Sequence, residues 1–321
     1  MPVMETELDG QDLKKALEAA KLQLERHIDE VNALNIFPVP DGDTGINMFL
    51  TMKSAVEAVE ESQETSAAAI SASAARGALM GARGNSGVIL SQILRGMAKG
   101  LEEKERFSFP EFANALHIGS EQAYKVVSDP VEGTILTVIR EVSEEASWVA
   151  KRKVSFGRAI ASVVLRAKGT VKRTPEMLPV LKEAGVVDAG AKGLYYFFKG
   201  MESAICRKKA SARSGRASSR TASTSKGEER RYGFDVQFLL EGENLPVDEI
   251  REKVIASGEC PLVVGDEKLL KVHVHTMNPD EILNYARSKG TVEDVIVEDM
   301  DKQVREQMER EGGIVSNERD E

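Results

Sequence analysis

The stretch from Arg207 to Arg231, R-K-K-A-S-A-R-S-G-R-A-S-S-R-T-A-S-T-S-K-G-E-E-R-R, divides this chain. It is serine and basic side chains with no apolar position to bury, so burial cannot offset the entropy of ordering it, and it reads as a flexible linker. Whatever flanks it must build two separate cores. The 321 residues leave ample chain for both. The two flanks also differ in period, which sets their fold classes apart.

Before the linker the apolar period is helical. From Asp9 to about Asn35, Leu13, Leu17, Ala20, Leu24, Ile28, Val31 and Leu34 recur at steps of three and four, the spacing of one helix face. Further helices are expected from Thr44 to about Glu60 and from Ser66 to Met80. A fourth carries Val88, Ile89, Ile93 and Leu94. Four more run from Phe109 to about Ser128, Gly133 to Arg152, Phe156 to Ala184 with a break at Thr174-Pro175, and Asp188 to Cys206. Residues 1–206 are therefore expected as an all-α domain of eight helices. With short connections and antiparallel neighbours, the even-numbered helices start at one end.

After the linker the period is two. Phe234, Val236 and Phe238 alternate with Asp235 and Gln237 as in a half-buried strand. A helix over Pro246–Ala256, a strand over Pro261–Val264, a turn at Gly265–Lys268, a strand over Leu269–Thr276, a helix over Asn278–Ser288 and a strand over Val292–Val297 follow. The order β-α-β-β-α-β predicts a ferredoxin-like α+β domain over residues 232–300, then a charged tail over 301–321.

The chemistry concentrates at N-I-F-P-V-P-D-G-D-T-G-I-N, residues 35–47. Pro38 and Pro40 fix an extended approach, and Gly42 separates Asp41 from Asp43 at the mouth of the second helix. A carboxylate pair before a helix N-terminus suits Mg²⁺ and phosphate, since Mg²⁺ takes one or two carboxylates and helix starts attract anions. The same residues also suit an ordinary turn with Asp43 as N-cap. Thr44 opens the helix with N–H groups expected to face the same space, and Asn47 stands one turn in. The run G-A-R-G-N-S-G, residues 81–87, offers a second anion-binding start, with Arg83 as a fork of donors and Asn85-Ser86 as cap. It also suits a plain helix–helix turn. Gly133-Thr134 and Asp188-Ala189-Gly190 open the sixth and eighth helices. One shared rim would thus gather Asp41, Asp43, Thr44, Ser86, Thr134 and Asp188.

In the second domain, K-V-H-V-H-T puts Lys271, His273 and His275 opposite Val272 and Val274. Asp235 lies on the same polar, open face. Two histidines and a carboxylate there could hold zinc, or the face could simply meet a partner domain. His27, beside the first helix's apolar stripe, reads as a packing or surface residue.

Composition excludes other classes. Lys and Arg number 43 against 52 Asp and Glu, a formal charge of −9, which argues against nucleic acid as the main ligand. Two cysteines, Cys206 and Cys260, outline neither a disulfide framework nor a thiolate zinc knuckle. No 18-residue apolar run or basic-then-apolar leader is readable, so no integral membrane segment is expected, and a soluble cytoplasmic protein is.

The segments N-I-F-P-V-P-D-G-D-T-G-I-N-M, G-A-R-G-N-S-G-V-I-L-S-Q, E-G-T-I-L-T-V and V-V-D-A-G-A-K-G-L, in this order and spacing, resemble the L domain of dihydroxyacetone kinases, in the version found in bacterial fatty acid kinase catalytic subunits. Residues 232 onward, through Tyr232-Gly233, F-L-L-E-G-E-N-L and K-V-H-V-H-T, resemble the middle domain of those subunits. The resemblance implies an eight-helix barrel binding ATP through two Mg²⁺ ions. It implies metal on Asp41 and Asp43, with Asn35 where dihydroxyacetone kinases carry a third acid. It implies nucleotide on Thr44, Asn47, Asn85, Ser86, Gly133, Thr134, Asp188 and Gly190, with Arg83 offsetting developing charge. In the middle domain it implies zinc on His273 and His275, with Asp235 where relatives often carry a cysteine.

The implied reaction is phosphorylation of a fatty acid carboxylate presented by a separate acyl-binding protein. The alternatives are the nucleotide-binding subunit of a dihydroxyacetone-type kinase and a non-catalytic nucleotide-binding regulator or scaffold. Many relatives continue into a domain that docks the acyl-binding partner, so this chain is expected either to be cut or to receive that domain from another polypeptide. A homodimer is compatible with the sequence.

Overall fold

The structure is a computed structural model and describes residues 7–62, 64–206 and 231–306. The linker expected at 207–231 lies outside the described residues except for Arg231, and so does the charged tail beyond residue 306. The chain divides into two compact units. Among the described residues, the first comprises 7–34 and 44–206, and the second 35–43 and 231–306.

The first unit holds ten helices where eight were expected, the two extra ones being short. They are α1 (Gly10–Glu25), α2 (Ile28–Asn32), α3 (Thr44–Glu61), α4 (Ala67–Met80), α5 (Gly84–Gly100), α6 (Phe109–Val126), α7 (Ile135–Ala150), α8 (Phe156–Met177), α9 (Pro179–Ala184) and α10 (Ala189–Cys206). The unforeseen strands β1 (Glu7–Asp9) and β2 (Arg106–Ser108) pair antiparallel.

The first expected helix stops early because His27 leaves helical geometry, at φ −123° and ψ 18°. Its ring stacks on Tyr196 at 3.7 Å and its Nδ1 meets the Gln23 carbonyl oxygen at 2.7 Å. The expected break at Thr174-Pro175 is also displaced. A proline there cannot donate to the Val171 carbonyl, but the Thr174 hydroxyl does so instead at 2.8 Å, and α8 continues through Pro175. The break falls at Leu178, extended at φ −121° and ψ 108° before Pro179 at the start of α9.

Packing of the eight long helices is cyclic. Each lies against the next in the chain, α1 on α3, then α4, α5, α6, α7, α8 and α10, and α10 returns to α1. Their apolar stripes form one core, with Leu17, Met48, Leu90, Phe112, Ile139, Val163 and Phe197 fully buried or nearly so. Small residues let α5 and α6 approach closely: a methyl on Gly96 would lie 2.4 Å from the Gly119 Cα.

The second unit has β3 (Phe234–Glu241), α11 (Val247–Ser257), β4 (Glu259–Gly265), β5 (Leu269–Thr276), α12 (Pro279–Arg287) and β6 (Thr291–Asp299). The sheet is antiparallel in the order β4-β5-β3-β6. Val236, Phe238, Leu240, Val272 and Val274 form its core with Ile250 and Val254 of α11 and Ile282 and Leu283 of α12. The opposite face, expected open, is not: Asp235, Gln237, Lys271, His273 and His275 are all buried.

The proline-rich segment 35–43 packs in this second unit, with Val39 in a cluster with Met300, Val304 and partly buried Tyr232. Among the described residues no helix is long and apolar enough to cross a membrane.

Candidate functional site

In the first unit the starts of α3, α5, α7 and α10 lie at one end, as the helix count predicted. Asn47 of α3 touches the start of α5, because a methyl on Gly84 would lie 2.4 Å from the Asn47 Nδ2. Gly84 has φ +55°, so two independent reasons select glycine there. Met48 of α3 meets the second turn of α10, where a methyl on Gly193 would lie 2.3 Å from its Sδ. Gly190 in turn lies on Ile135, the first residue of α7, at 3.2 Å from a methyl to the Ile135 Cβ. Contacts thus link Asn47, Gly84, Gly190 and the α7 start that follows Thr134.

The four starts are not equally open to an anion. At α3 the N–H groups of Gly45 and Ile46 donate to Asn32 Oδ1 at 2.6 and 3.2 Å, so these donors, expected to face phosphate, are taken from within the protein. At α7 the Thr134 hydroxyl donates to the Val131 carbonyl at 2.7 Å and accepts the Leu136 N–H at 3.3 Å. The Gly133 N–H goes to Thr137 Oγ1 at 2.8 Å.

At α10 the Asp188 carboxylate accepts the Ala191 N–H at 2.7 Å and also bonds the Ile135 backbone, tying two helix starts together. At α5 the N-cap is Arg83, whose side chain makes no cap hydrogen bond, and Asn85 and Ser86 are not caps as expected but half-exposed residues of the first turn. The Arg83 side chain forms no ion pair among the described residues, while its N–H donates to Thr51 Oγ1 at 3.3 Å.

Asp188 is 5% exposed, and burial outweighs the two backbone donors to hold its carboxyl up at about 7. A carboxyl whose folded pKa exceeds its unfolded value stabilises the fold fully below about pH 4, and that stabilisation is lost as pH rises through about 7. Asp188→Asn is expected to flatten the thermal-stability profile across this window, and at pH 8 to be more stable than the parent by about 4 kcal/mol at most. Melting curves at unit pH steps test it.

In the second unit Asp41 and Asp43 come together as expected. Their side chains hydrogen-bond, and burial, then the Asp43 charge, then the Asp235 charge hold the Asp41 carboxyl well above the usual carboxylate range. A divalent cation fits such a pair, since it would relieve the repulsion. Asn35, expected as a metal ligand, lies against the acid pair. Its Nδ2 donates to Asp41 Oδ1 at 2.6 Å and to the Val39 carbonyl at 2.7 Å, so the amide orients Asp41.

The second cluster also assembles. Register places Asp235 opposite His275, and Gln237 opposite His273. One ligand atom from each of Asp235, His273 and His275 lies within 4.8 Å of the others. His273 is 0% exposed, and its Nδ1 lies 3.0 Å from Asp235 Oδ1, yet neither atom nor the His273 Nε2 makes a hydrogen bond. Gln237 Nε2 donates to Asp235 Oδ2 at 2.7 Å.

Burial drives both Asp235 and His275 toward neutrality. For Asp235 the two histidines prevail and its carboxyl sits below the usual range, while for His275 burial and His273 prevail over Asp235 and bring it to about 4. A neutral imidazole beside an ionised carboxylate, with buried donor atoms lacking hydrogen bonds, fits a divalent metal of the zinc type.

The DAK2 domain model matches residues 38–203, and the FakA-like middle domain model, that of the fatty acid kinases, matches residues 231–307. The chain belongs to the DAK2 family. Protein YloV of Bacillus subtilis is 37% identical over 97% of this chain and 59% of its own length. An uncharacterized protein of Staphylococcus saprophyticus is 38% identical over 96% of the chain and 58% of its own length. One of Staphylococcus aureus USA300 is 36% identical over 90% and 55% respectively. The chain thus spans a little over half the length of these relatives.

Two supports of this DAK2 domain escaped the sequence reading. Asn32 acts on Gly45 across 13 residues, with no local signal to mark it. Asn32→Ala is expected to lower stability by about 1–2 kcal/mol, as loss of a helix cap does, with Asn32→Asp near the parent; urea melts measure both. The second support is Glu132, whose carboxylate accepts from Tyr124 at 2.8 Å, Thr137 at 2.7 Å and Arg140 at 2.9 Å, bracing the Gly133-Thr134 loop. Its signal was readable: Arg140 sits two turns into the helix that Glu132 precedes.

Proposed function

We propose that this chain is the nucleotide-binding, catalytic part of a kinase that phosphorylates the carboxylate of a fatty acid presented by a separate acyl-binding protein, giving an acyl phosphate. The observation that carries this reading is the occurrence, on one chain, of a DAK2 domain and a FakA-like fatty acid kinase middle domain. On this reading the cyclic helix packing is the eight-helix barrel of the dihydroxyacetone kinase L type. The β4-β5-β3-β6 sheet with its two helices is the ferredoxin-like domain.

Phosphoryl transfer asks for positioning and charge neutralisation rather than a protein nucleophile. Asp41 and Asp43 would hold Mg²⁺, which when bound neutralises the phosphate oxygens of ATP. Asn35 keeps Asp41 aimed. The start of α5, with Asn85 and Ser86, steadies phosphate oxygens, and Arg83 offsets charge beside them. Thr44, Asn47, Gly133, Thr134 and Gly190 shape the nucleotide's surroundings. Asp188, with its carboxyl near 7, carries only part of a negative charge next to phosphates at neutral pH. His273, His275 and Asp235 would hold zinc in a structural role. The acyl-binding protein and a docking domain, from the same or another polypeptide, complete the system, and a cytoplasmic setting fits the reaction.

The test is to mix the protein with ATP, Mg²⁺ and a lipid-loaded acyl-binding protein and trap the product with hydroxylamine. An acyl hydroxamate formed only when all components are present supports the proposal. A triose phosphate formed with a dihydroxyacetone-carrying partner, and no hydroxamate, would replace it.

A further inference from the structure

We propose that the outer face formed by the end of α7 and the length of α8 docks on an anionic lipid bilayer. Between Trp148 and Arg173 the chain carries eight basic residues, Lys151, Arg152, Lys153, Arg158, Arg166, Lys168, Lys172 and Arg173, and no acidic one, although the whole chain has a charge of −9. Two of the eight are neutralised by α7: Arg166 pairs with Glu145 at 2.9 Å, and Arg173 pairs with Glu141. The other six are exposed and form no ion pair among the described residues. Glu176 in the last turn of α8 is that helix's one carboxylate, so this face is strongly positive although the whole chain is acidic.

Apolar groups stand among these charges. Leu165, in the middle of α8, is 71% exposed, and Trp148 is 50% exposed with the Arg152 guanidinium 3.3 Å above its ring. Glu145 accepts the Ser162 hydroxyl at 2.6 Å, which brings the Trp148 turn of α7 beside the Ser162–Leu165 turn of α8. On α8 itself, Arg158, Ser162, Leu165, Gly169 and Lys172 follow at steps of three and four, so they share one side of the helix.

A tryptophan and a leucine standing out among long cationic side chains suit the bilayer interface. The apolar groups enter the headgroup region, while the lysines and arginines reach lipid phosphates without converging on one point. The spread of unpaired charge along the helix favours a surface over a protein with fixed partner positions. The inference is independent of the reaction proposed above.

Trp148 is the single tryptophan of the chain, so its emission reports on this face alone. The experiment mixes the full chain with phosphatidylcholine vesicles with and without phosphatidylglycerol, following sedimentation and Trp148 fluorescence. Expected are binding only to the anionic vesicles, weakened by salt, and a shift of Trp148 emission to shorter wavelength.

The combined variant Lys151→Glu, Lys153→Glu, Lys168→Glu and Lys172→Glu is expected to lower partitioning by roughly a hundred-fold or more. Leu165→Ser is expected to lower it about ten-fold. Both should keep the parent's circular dichroism. Absence of vesicle binding overturns the proposal. So does binding with unshifted Trp148 emission that survives the four substitutions, which would assign the lipid contact to the basic segment 207–231. Capture of an acidic protein by this face in place of vesicles overturns it too.

Discussion

Asp41→Asn is expected to lower phosphoryl transfer by about 1,000-fold while the protein remains folded. The variant removes the charge on one of two neighbouring carboxyls that the protein holds together against their repulsion. The same repulsion gives the fold a cost with a definite sign. Because the Asp41 carboxyl lies well above its usual range, the folded state favours its protonated form. The associated stability is present at low pH and lost as pH rises. In metal-free buffer at pH 8 the variant should therefore melt at a higher temperature than the parent, and the gap should close below about pH 4. Added Mg²⁺ should raise the parent's melting temperature more than the variant's. Calorimetry with and without Mg²⁺, alongside turnover, tests both halves. A variant that keeps full activity would remove Asp41 from the metal site.

The second large effect is expected at His273. Its ring nitrogens are buried without hydrogen bonds, beside Asp235 and His275. Elemental analysis of the purified protein should find about one zinc per chain. His273→Ala should lose it and destabilise the second unit by about 3 kcal/mol or more. Loss of side-chain volume also destabilises a buried site, so the chelator response separates the causes. A chelator should lower the parent's unfolding midpoint and leave that of His273→Ala unchanged. Asp235→Cys should retain zinc at least as well as the parent, because thiolate is the softer ligand. A parent protein free of metal and indifferent to chelators would leave the cluster as a buried polar network.

The long helices and the four strands of the second sheet were legible because their apolar periods are regular. The misplaced boundaries share one cause, a side-chain contact that the apolar period does not encode. Pro175 looked like a helix breaker until the Thr174 hydroxyl proved to take over the Val171 carbonyl. The first helix read as continuous until Tyr196, almost 170 positions later, proved to hold His27. The candidate site follows the same pattern. Asp41, Asp43, His273, His275 and Asp235 announce themselves by type and spacing. The roles of Asn35 and Asn32 do not, since an amide serves equally as ligand, cap or orienting donor, and only its neighbours decide which.

The sequence by itself determined the helical and β-α halves, the acid pair and the histidine pair, because those rest on local period and residue chemistry. Tertiary structure alone decided that segment 35–43 packs with the second unit. It alone decided that the histidine face is buried. It also decided that the start of α3 is capped by Asn32, 13 residues before Gly45. Capping and burial are satisfied by whichever group the fold brings near. That partner can lie anywhere in the chain, so its identity is not written in the residues that need it.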